Sequence, residues 1–147
     1  IRDLLAFRPE RQGTDIANAV LYASKVLAHR GVVILISDFL GGNWDAPLKR
    51  LAARHDVTTV TVDDAREVSP PGEGWFEFAD AESGARHLVD LSDRATRRRW
   101  TEAAAARIVE RNGRLRAAGV RHVAIDVAED YAPILRRAFA PKRRGTR

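Results

Sequence analysis

The chain has 147 residues, the length of one domain, and its 45% hydrophobic and 31% charged residues are ordinary for a globular protein. It has no cysteine, which excludes disulfides, thiolate catalysis and cysteine-ligated zinc. Its net charge is +5, but most basic residues are scattered among acidic ones. The run Arg97–Arg99 is therefore expected to be solvated helix surface rather than a nucleic-acid site.

The first predicted helix covers residues 16–29, where apolar residues recur at helical spacing. Thr14 or Asp15 is expected to cap its start, and Gly31 to end it. Residues 32–37 follow as a continuous apolar run, which is typical of a strand covered on both faces in a parallel sheet.

The alternation of helix and strand continues downstream, as in an α/β fold. A short helix is predicted over 46–55 and a strand of β-branched residues over 57–62. The polar loop 63–74 then leads to two β-rich runs, 75–79 and 86–90, which read as a hairpin.

A long helix is predicted over 93–118, capped by Ser92 and weakened or kinked at Gly113. The third strand of the parallel sheet covers 120–127, and Asp130 opens a last helix. The inward face of the long helix is marked by an apolar stripe at Trp100, Ala104, Ile108 and Leu115.

We therefore predict one α/β domain over residues 1–140, with a parallel sheet flanked by helices and an added β-hairpin, and a disordered basic tail over 141–147. The chain has no methionine, so we expect it to belong to a longer protein whose preceding strands complete the thin sheet. The strand at 32–37 is then expected to have a free apolar edge, through which the chain could pair with a second copy.

Oxygen-bearing side chains are predicted at one rim of this sheet, because ligands of open α/β sheets bind beyond the carboxyl ends of the strands. Asp38 follows the first strand, Asp63 and Asp64 follow the second, and Thr14 precedes the first helix. Such hard donors suit Mg²⁺ or Mn²⁺. Two alternatives stay open: Asp38 could simply cap a turn, and the three aspartates could hold magnesium in a phosphoryl-transfer or nuclease-like enzyme.

The two aromatic residues near Asp38 have two readings as well. Trp44 and Phe39 lie in the segment that follows it, where they could contact a binding partner or, for Trp44, fasten the next helix. A third function, nucleic-acid binding through the basic tail and Arg97–Arg99, lacks the interleaved aromatic and basic residues of a single-strand platform.

The order and spacing of several motifs resemble the C-terminal region of the bacterial family called domain of unknown function 58, which is similar to von Willebrand factor type A domains. The matching segments are FRPERQGTD, GTDIANAV, VVILISDFL, LAARHDVTTVTVDDARE, FADAESGARHLVD and EDYAPILRRAF. The resemblance implies a partial type A-like, Rossmann-like sheet.

The resemblance also implies a metal-ion-dependent adhesion site, built from a D-x-S-x-S segment, a threonine and an aspartate. Thr14 and Asp38 match the last two, with Asp15 in support, whereas D-x-S-x-S is absent from the chain and Phe39 stands where glycine is frequent. We therefore expect Mg²⁺ or Mn²⁺ in the full-length protein rather than in this stretch alone.

The functional implication of the resemblance is a non-enzymatic adaptor. It would work in the cytoplasm with a MoxR-type AAA+ ATPase, and an acidic side chain of a client protein would complete the ion's coordination. No nucleic acid and no membrane contact are implied for this segment.

Overall fold

The computed structural model describes residues 13–80 and 84–140. In chain order the elements are α1 (Ile16–Val26), β1 (Val32–Ile36), α2 (Asp45–Arg54), β2 (Asp56–Asp63), α3 (Ala65–Val68), β3 (Trp75–Ala79), β4 (Arg86–Asp90), α4 (Arg94–Ala117), β5 (Arg121–Asp126) and α5 (Tyr131–Phe139). The predicted fold class is confirmed: a three-stranded parallel sheet is flanked by helices, and β3 and β4 form a separate antiparallel hairpin. The predicted tail, residues 141–147, lies outside the described residues.

The parallel sheet has the order β1-β2-β5, so β2 is its central strand. Val33 of β1 pairs with Val57 of β2, and Val60 of β2 pairs with Val123 of β5. Because all three strands run the same way, their carboxyl ends meet at one rim. The predicted acidic residues lie at that rim: Asp38 is in the segment after β1, Asp63 is the last residue of β2, and Asp64 follows it.

Aspartate side chains cap four of the five described helices by accepting from free backbone amides, and α2 is the exception. The Oδ1 atom of Asp15 accepts from Asn18 N at 2.9 Å, and Asp130 accepts from Ala132 N at 2.9 Å. The predicted cap at Ser92 is wrong, since Asp93 binds the amides of Ala95 and Thr96 instead and α4 begins one residue later.

Three further boundaries differ from the sequence prediction. Helix α1 ends at Val26, because Leu27 already adopts an extended conformation. Gly31 is therefore not its cap, and its N–H donates to Nδ1 of His55 instead. The loop after β2 contains α3, which Asp64 caps, and α4 continues through Gly113 without interruption.

Two hydrophobic clusters lie on opposite faces of the sheet. The larger one joins α1, α2 and α4 to β2 and includes Val20, Phe39, Trp44, Leu48, Leu51, Val57 and Leu115. The smaller one packs α5 against β2 and β5 through Val60, Val123 and Ile125. Each fully buried large apolar side chain contributes about 1.5–3 kcal/mol, so most of the stabilisation lies on the α1–α2–α4 face.

Strand β1 departs from the prediction that both of its faces are covered. Val33 and Leu35 pack on the larger cluster, whereas Val32, Ile34 and Ile36 are 69%, 48% and 70% exposed. The reason is that α5 packs against β5 and its cluster reaches only β2 and β5. In the described part of the chain, β1 also hydrogen bonds to one neighbouring strand alone.

The hairpin packs against α4 through an aromatic contact. The rings of Phe78 and Trp100 are 4.9 Å apart, and Trp100 Nε1 donates to the carbonyl of Glu67. Trp75, on the outer face, is 65% exposed. None of the described helices is both long enough and apolar enough to cross a membrane.

Candidate functional site

The predicted donors Thr14, Asp15 and Asp38 are all exposed at the carboxyl end of β1, beside the start of α1. Thr14 and Asp15 border a cavity of about 330 Å³ together with Ser37 and Phe39, the residues on either side of Asp38. Asp38 itself borders a second, smaller cavity. The threonine thus shares a cavity with the two neighbours of Asp38 in the chain, whereas Asp38 borders a different one.

Asp38 forms a local turn of the kind that its chemistry predicts. Its Oδ1 atom accepts from Leu40 N at 3.1 Å and from the Ser37 hydroxyl at 3.3 Å, while Phe39 N donates to Ser37 Oγ at 3.2 Å. These bonds fix one carboxylate oxygen toward the following backbone.

Phe39 has a φ of 55°, and it is the residue other than glycine with positive φ in the described part of the chain. The resemblance places a frequent glycine at this position, and the backbone here adopts the left-handed conformation that favours glycine. A side chain in that conformation costs about 1–2 kcal/mol, so neighbouring contacts must hold it.

Phe39 and Trp44 lie in the core and have no surface to offer a partner in this structure. They are 1% and 0% exposed, and their rings meet edge to face at 5.3 Å. The physical reason is that both side chains belong to the larger hydrophobic cluster. Trp44 directly precedes α2 and shares this cluster with Leu48 and Leu51 of that helix. Of the two readings of Trp44, the structure supports the one that fastens the next helix.

Arg114 of α4 holds the far end of the loop after Asp38. It donates to both carboxylate oxygens of Asp45, at 2.7 and 2.5 Å, and to the carbonyl of Gly42 at 2.8 Å. Its guanidinium also lies 4.3 Å from the centre of the Trp44 ring, a cation–π contact. The hydrogen bond from Arg114 lowers the pKa of Asp45 below its usual range.

Arg111 is the residue of this rim that sequence reasoning missed. It is 4% exposed, and it binds Asp63 through two parallel bonds of 2.7 and 2.9 Å. A third bond of 3.2 Å runs to the carbonyl of Asp38. The signal was available: residue 111 lies between Ile108 and Leu115 on the apolar stripe of α4, so a charge there must face inward.

The acidic residues Asp38, Asp63 and Asp64 border one cavity of about 50 Å³. Two of them already have cationic partners, because Arg111 binds Asp63 and Arg66 binds Asp64 at 2.6 Å. The hydrogen bonds from Arg66 lower the pKa of Asp64. Sharing a magnesium ion would require both pairs to separate.

A partly buried chain of polar side chains extends from this rim into the sheet. The Thr61 hydroxyl lies 3.0 Å from Nε2 of His122 on β5 and donates to Oδ2 of Asp63 at 3.4 Å. Burial lowers the pKa of His122, and the nearby charge of Arg111 lowers it further. His122, Thr61, Asp63 and Arg111 thus link β5, β2 and α4 beneath the rim.

The residues at the rim fit a divalent cation only in part. Thr14 and Asp38 supply hard oxygen donors, and Mg²⁺ takes few protein ligands because it keeps several waters. Within 13–80 and 84–140, however, no group of three or more histidine, aspartate or glutamate side chains is arranged to bind a metal ion. A complete site would need donors from elsewhere.

Comparisons with known proteins identify relatives without an assigned function. A family model described as "Protein of unknown function DUF58" matches residues 1–110. The uncharacterized proteins Rv1480 of Mycobacterium tuberculosis and Mb1516 of Mycobacterium bovis are each 35% identical over 132 residues, which is 89% of this chain and 41% of theirs. The uncharacterized protein MAV169 of Mycobacterium avium is 33% identical, and 78% of its length is covered. The chain thus spans about two fifths of the first two relatives, and no solved structure matches it.

Proposed function

We propose, from the premise that the chain belongs to the DUF58 family, that it is a non-enzymatic interaction domain of a longer cytoplasmic protein. Its contact surface is the rim formed by Thr14, Asp15 and Asp38. Its partner is a MoxR-type AAA+ ATPase, or a client of that ATPase with an acidic side chain. The type A-like architecture and the adaptor role come from the resemblance of the sequence motifs.

One observation carries the proposal: Asp38 is exposed, yet its loop is held at both ends by arginines from α4. Arg111 fixes the carbonyl of Asp38, and Arg114 fixes Gly42 and Asp45. A binding constellation requires its groups to be preorganised, and these bonds supply that restraint to an exposed carboxylate.

Mg²⁺ or Mn²⁺ would be held by Thr14 and Asp38 together with donors from the rest of the longer protein. The ion would supply a concentrated positive charge for a partner's carboxylate. The residues of this chain would orient that ion: Ser37 and Leu40 N–H hold one oxygen of Asp38.

The enzymatic alternative rests on the shared cavity of Asp38, Asp63 and Asp64. Two-metal chemistry needs carboxylates that are free to bridge ions, and the arginine pairs of Asp63 and Asp64 oppose this. We therefore keep phosphoryl transfer as an outcome of the test.

The test compares the full-length protein with its Asp38→Ala variant. Calorimetric titration of Mg²⁺ and binding to the purified MoxR-type ATPase of the same organism should both weaken at least about tenfold in Asp38→Ala. Asp56→Ala is the matched control. Asp56 is also an exposed aspartate, but it is the first residue of β2 and so lies at the end of the sheet away from the rim.

Three results would contradict the proposal. They are unchanged binding in Asp38→Ala, binding that is insensitive to removal of divalent ions, or turnover of a phosphodiester that Asp38→Asn abolishes. The last result would instead support the enzymatic alternative.

A further inference from the structure

Arg111 reaches the rim from α4, far in sequence from the segments that carry the predicted site. It is a charged residue inside the domain, and a buried guanidinium is tolerated only when its donors are matched by acceptors. Asp63 and the carbonyl of Asp38 provide that match through three bonds. A fourth bond, from Nε to Asn112 Oδ1, occupies the remaining side of the group.

These bonds connect the ends of two neighbouring strands through a side chain of α4. Asp63 is the last residue of β2, whereas Asp38 lies two residues beyond β1. Arginine is suited to this task because its planar fork presents several donors in fixed directions, while lysine offers a single mobile point charge.

The carbonyl and the carboxylate of Asp38 are held by different partners. Arg111 of α4 donates a hydrogen bond to the carbonyl, and the Leu40 N–H donates one to a carboxylate oxygen. Immediately after it, Phe39 is in the left-handed conformation, which an unrestrained chain avoids. Removing the bond to the carbonyl would allow the peptide between Asp38 and Phe39 to rotate. The Phe39 N–H would then leave the Ser37 hydroxyl, which itself donates to the Asp38 carboxylate, and the turn that directs this carboxylate would be released.

We infer that Arg111 is the positioning residue of this rim: it fixes the backbone of Asp38 and thereby the direction in which the Asp38 carboxylate points. The inference rests on the proposed function for its biological meaning, but the positioning itself can be measured without any ligand.

The experiment separates positioning from stability by removing both charges of the Arg111–Asp63 pair together. Arg111→Met alone leaves Asp63 unpaired, whereas Arg111→Met combined with Asp63→Leu removes both charges, which is often nearly neutral for stability. Amide hydrogen exchange is then measured by NMR at Phe39 and Leu40, and in the sheet at Val60 and Val123. Arg111→Lys is the conservative variant, and Arg116→Lys, at an exposed position of the same helix, is the control.

In the double variant and in Arg111→Lys, exchange at Phe39 and Leu40 should rise at least about tenfold relative to Val60 and Val123, as expected for the loss of a bond from a charged donor. A merely structural arginine would change all four amides together. The inference is overturned if the loop amides keep their protection, or if they change only in parallel with those of the sheet.

A second measurement distinguishes this inference from the proposed function. The same variants of the full-length protein are titrated with Mg²⁺ and with the ATPase, alongside Asp38→Ala. If Asp38→Ala abolishes binding while the Arg111 variants bind normally, the positioning role fails and the proposed function stands. If Asp38→Ala binds normally, the proposed function fails, and hydrogen exchange alone decides the role of Arg111.

Discussion

Phe39 combines a buried ring with a backbone conformation that its side chain disfavours, and the two effects can be separated by substitution. Phe39→Ala removes the ring from contact with Trp44 and should cost about 3–5 kcal/mol, as for other buried phenylalanines. Phe39→Gly loses the same ring but also relieves the left-handed strain of about 1–2 kcal/mol. Glycine pays back about 0.5–1 kcal/mol of that gain in backbone entropy.

The expected order is therefore unusual: from the midpoints of these two ranges, Phe39→Gly should be more stable than Phe39→Ala by about 0.75 kcal/mol. Urea unfolding measures this difference, provided that the slope of the transition is the same in both variants. Val20, buried within α1, supplies the matched control. There the order should invert, with Val20→Gly less stable than Val20→Ala by about 1 kcal/mol.

The reasoning would be refuted if Phe39→Ala were as stable as Phe39→Gly while the Val20 pair behaved normally. That result would mean that residue 39 does not hold a positive φ in solution. There would then be no left-handed strain at Phe39 for the contacts from α4 to hold in place.

Three further outcomes are expected. Because Arg114 lowers the pKa of Asp45, the stabilisation from this pair should be present above about pH 4 and lost as the pH falls through the lowered pKa. Asp45→Asn should remove that part of the acid dependence of the urea midpoint. An unchanged pH profile in this variant would contradict the pairing. Because burial lowers the pKa of His122, stability should decline as the pH drops below the ordinary histidine value of about 6.5; His122→Gln should flatten this decline, and NMR titration of the ring should give a midpoint below that value. Finally, the 147-residue chain should self-associate through β1 in sedimentation velocity, and Ile34→Lys should reduce this association; a monodisperse wild-type monomer would argue against edge pairing.

The elements that the sequence predicts well are those whose pattern is local. Strands 75–79 and 86–90 match β3 and β4 residue for residue, since alternation and a Gly-bearing turn define a hairpin without outside help. The cap at Asp130 and the tolerance of Pro133 in the first turn of α5 follow from the same local rules.

The features that the sequence did not predict depend on distant contacts. An apolar run such as 32–37 indicates burial, but not which side of the strand a helix will cover, and α5 packs against β5 rather than β1. Phe39 and Trp44 look like surface aromatics beside an exposed aspartate, yet both side chains are buried, and the backbone of Phe39 is in the left-handed conformation. The apolar stripe of α4 indicates that Arg111 faces inward, but not that its ion-pair partner is Asp63, which lies 48 positions earlier in the chain.

Helix α4 serves two places in the molecule at once. Its first half supports the hairpin through Trp100, and its second half presents Arg111 and Arg114 to the rim. One inserted residue between these halves would turn the arginines by about 100° around the helix axis, away from Asp63 and Asp45. Natural variation in length should therefore accumulate in the hairpin turn and spare residues 101–110. The number of residues between Trp100 and Arg111 fixes the angle between the helix face that contacts the hairpin and the face that contacts the rim.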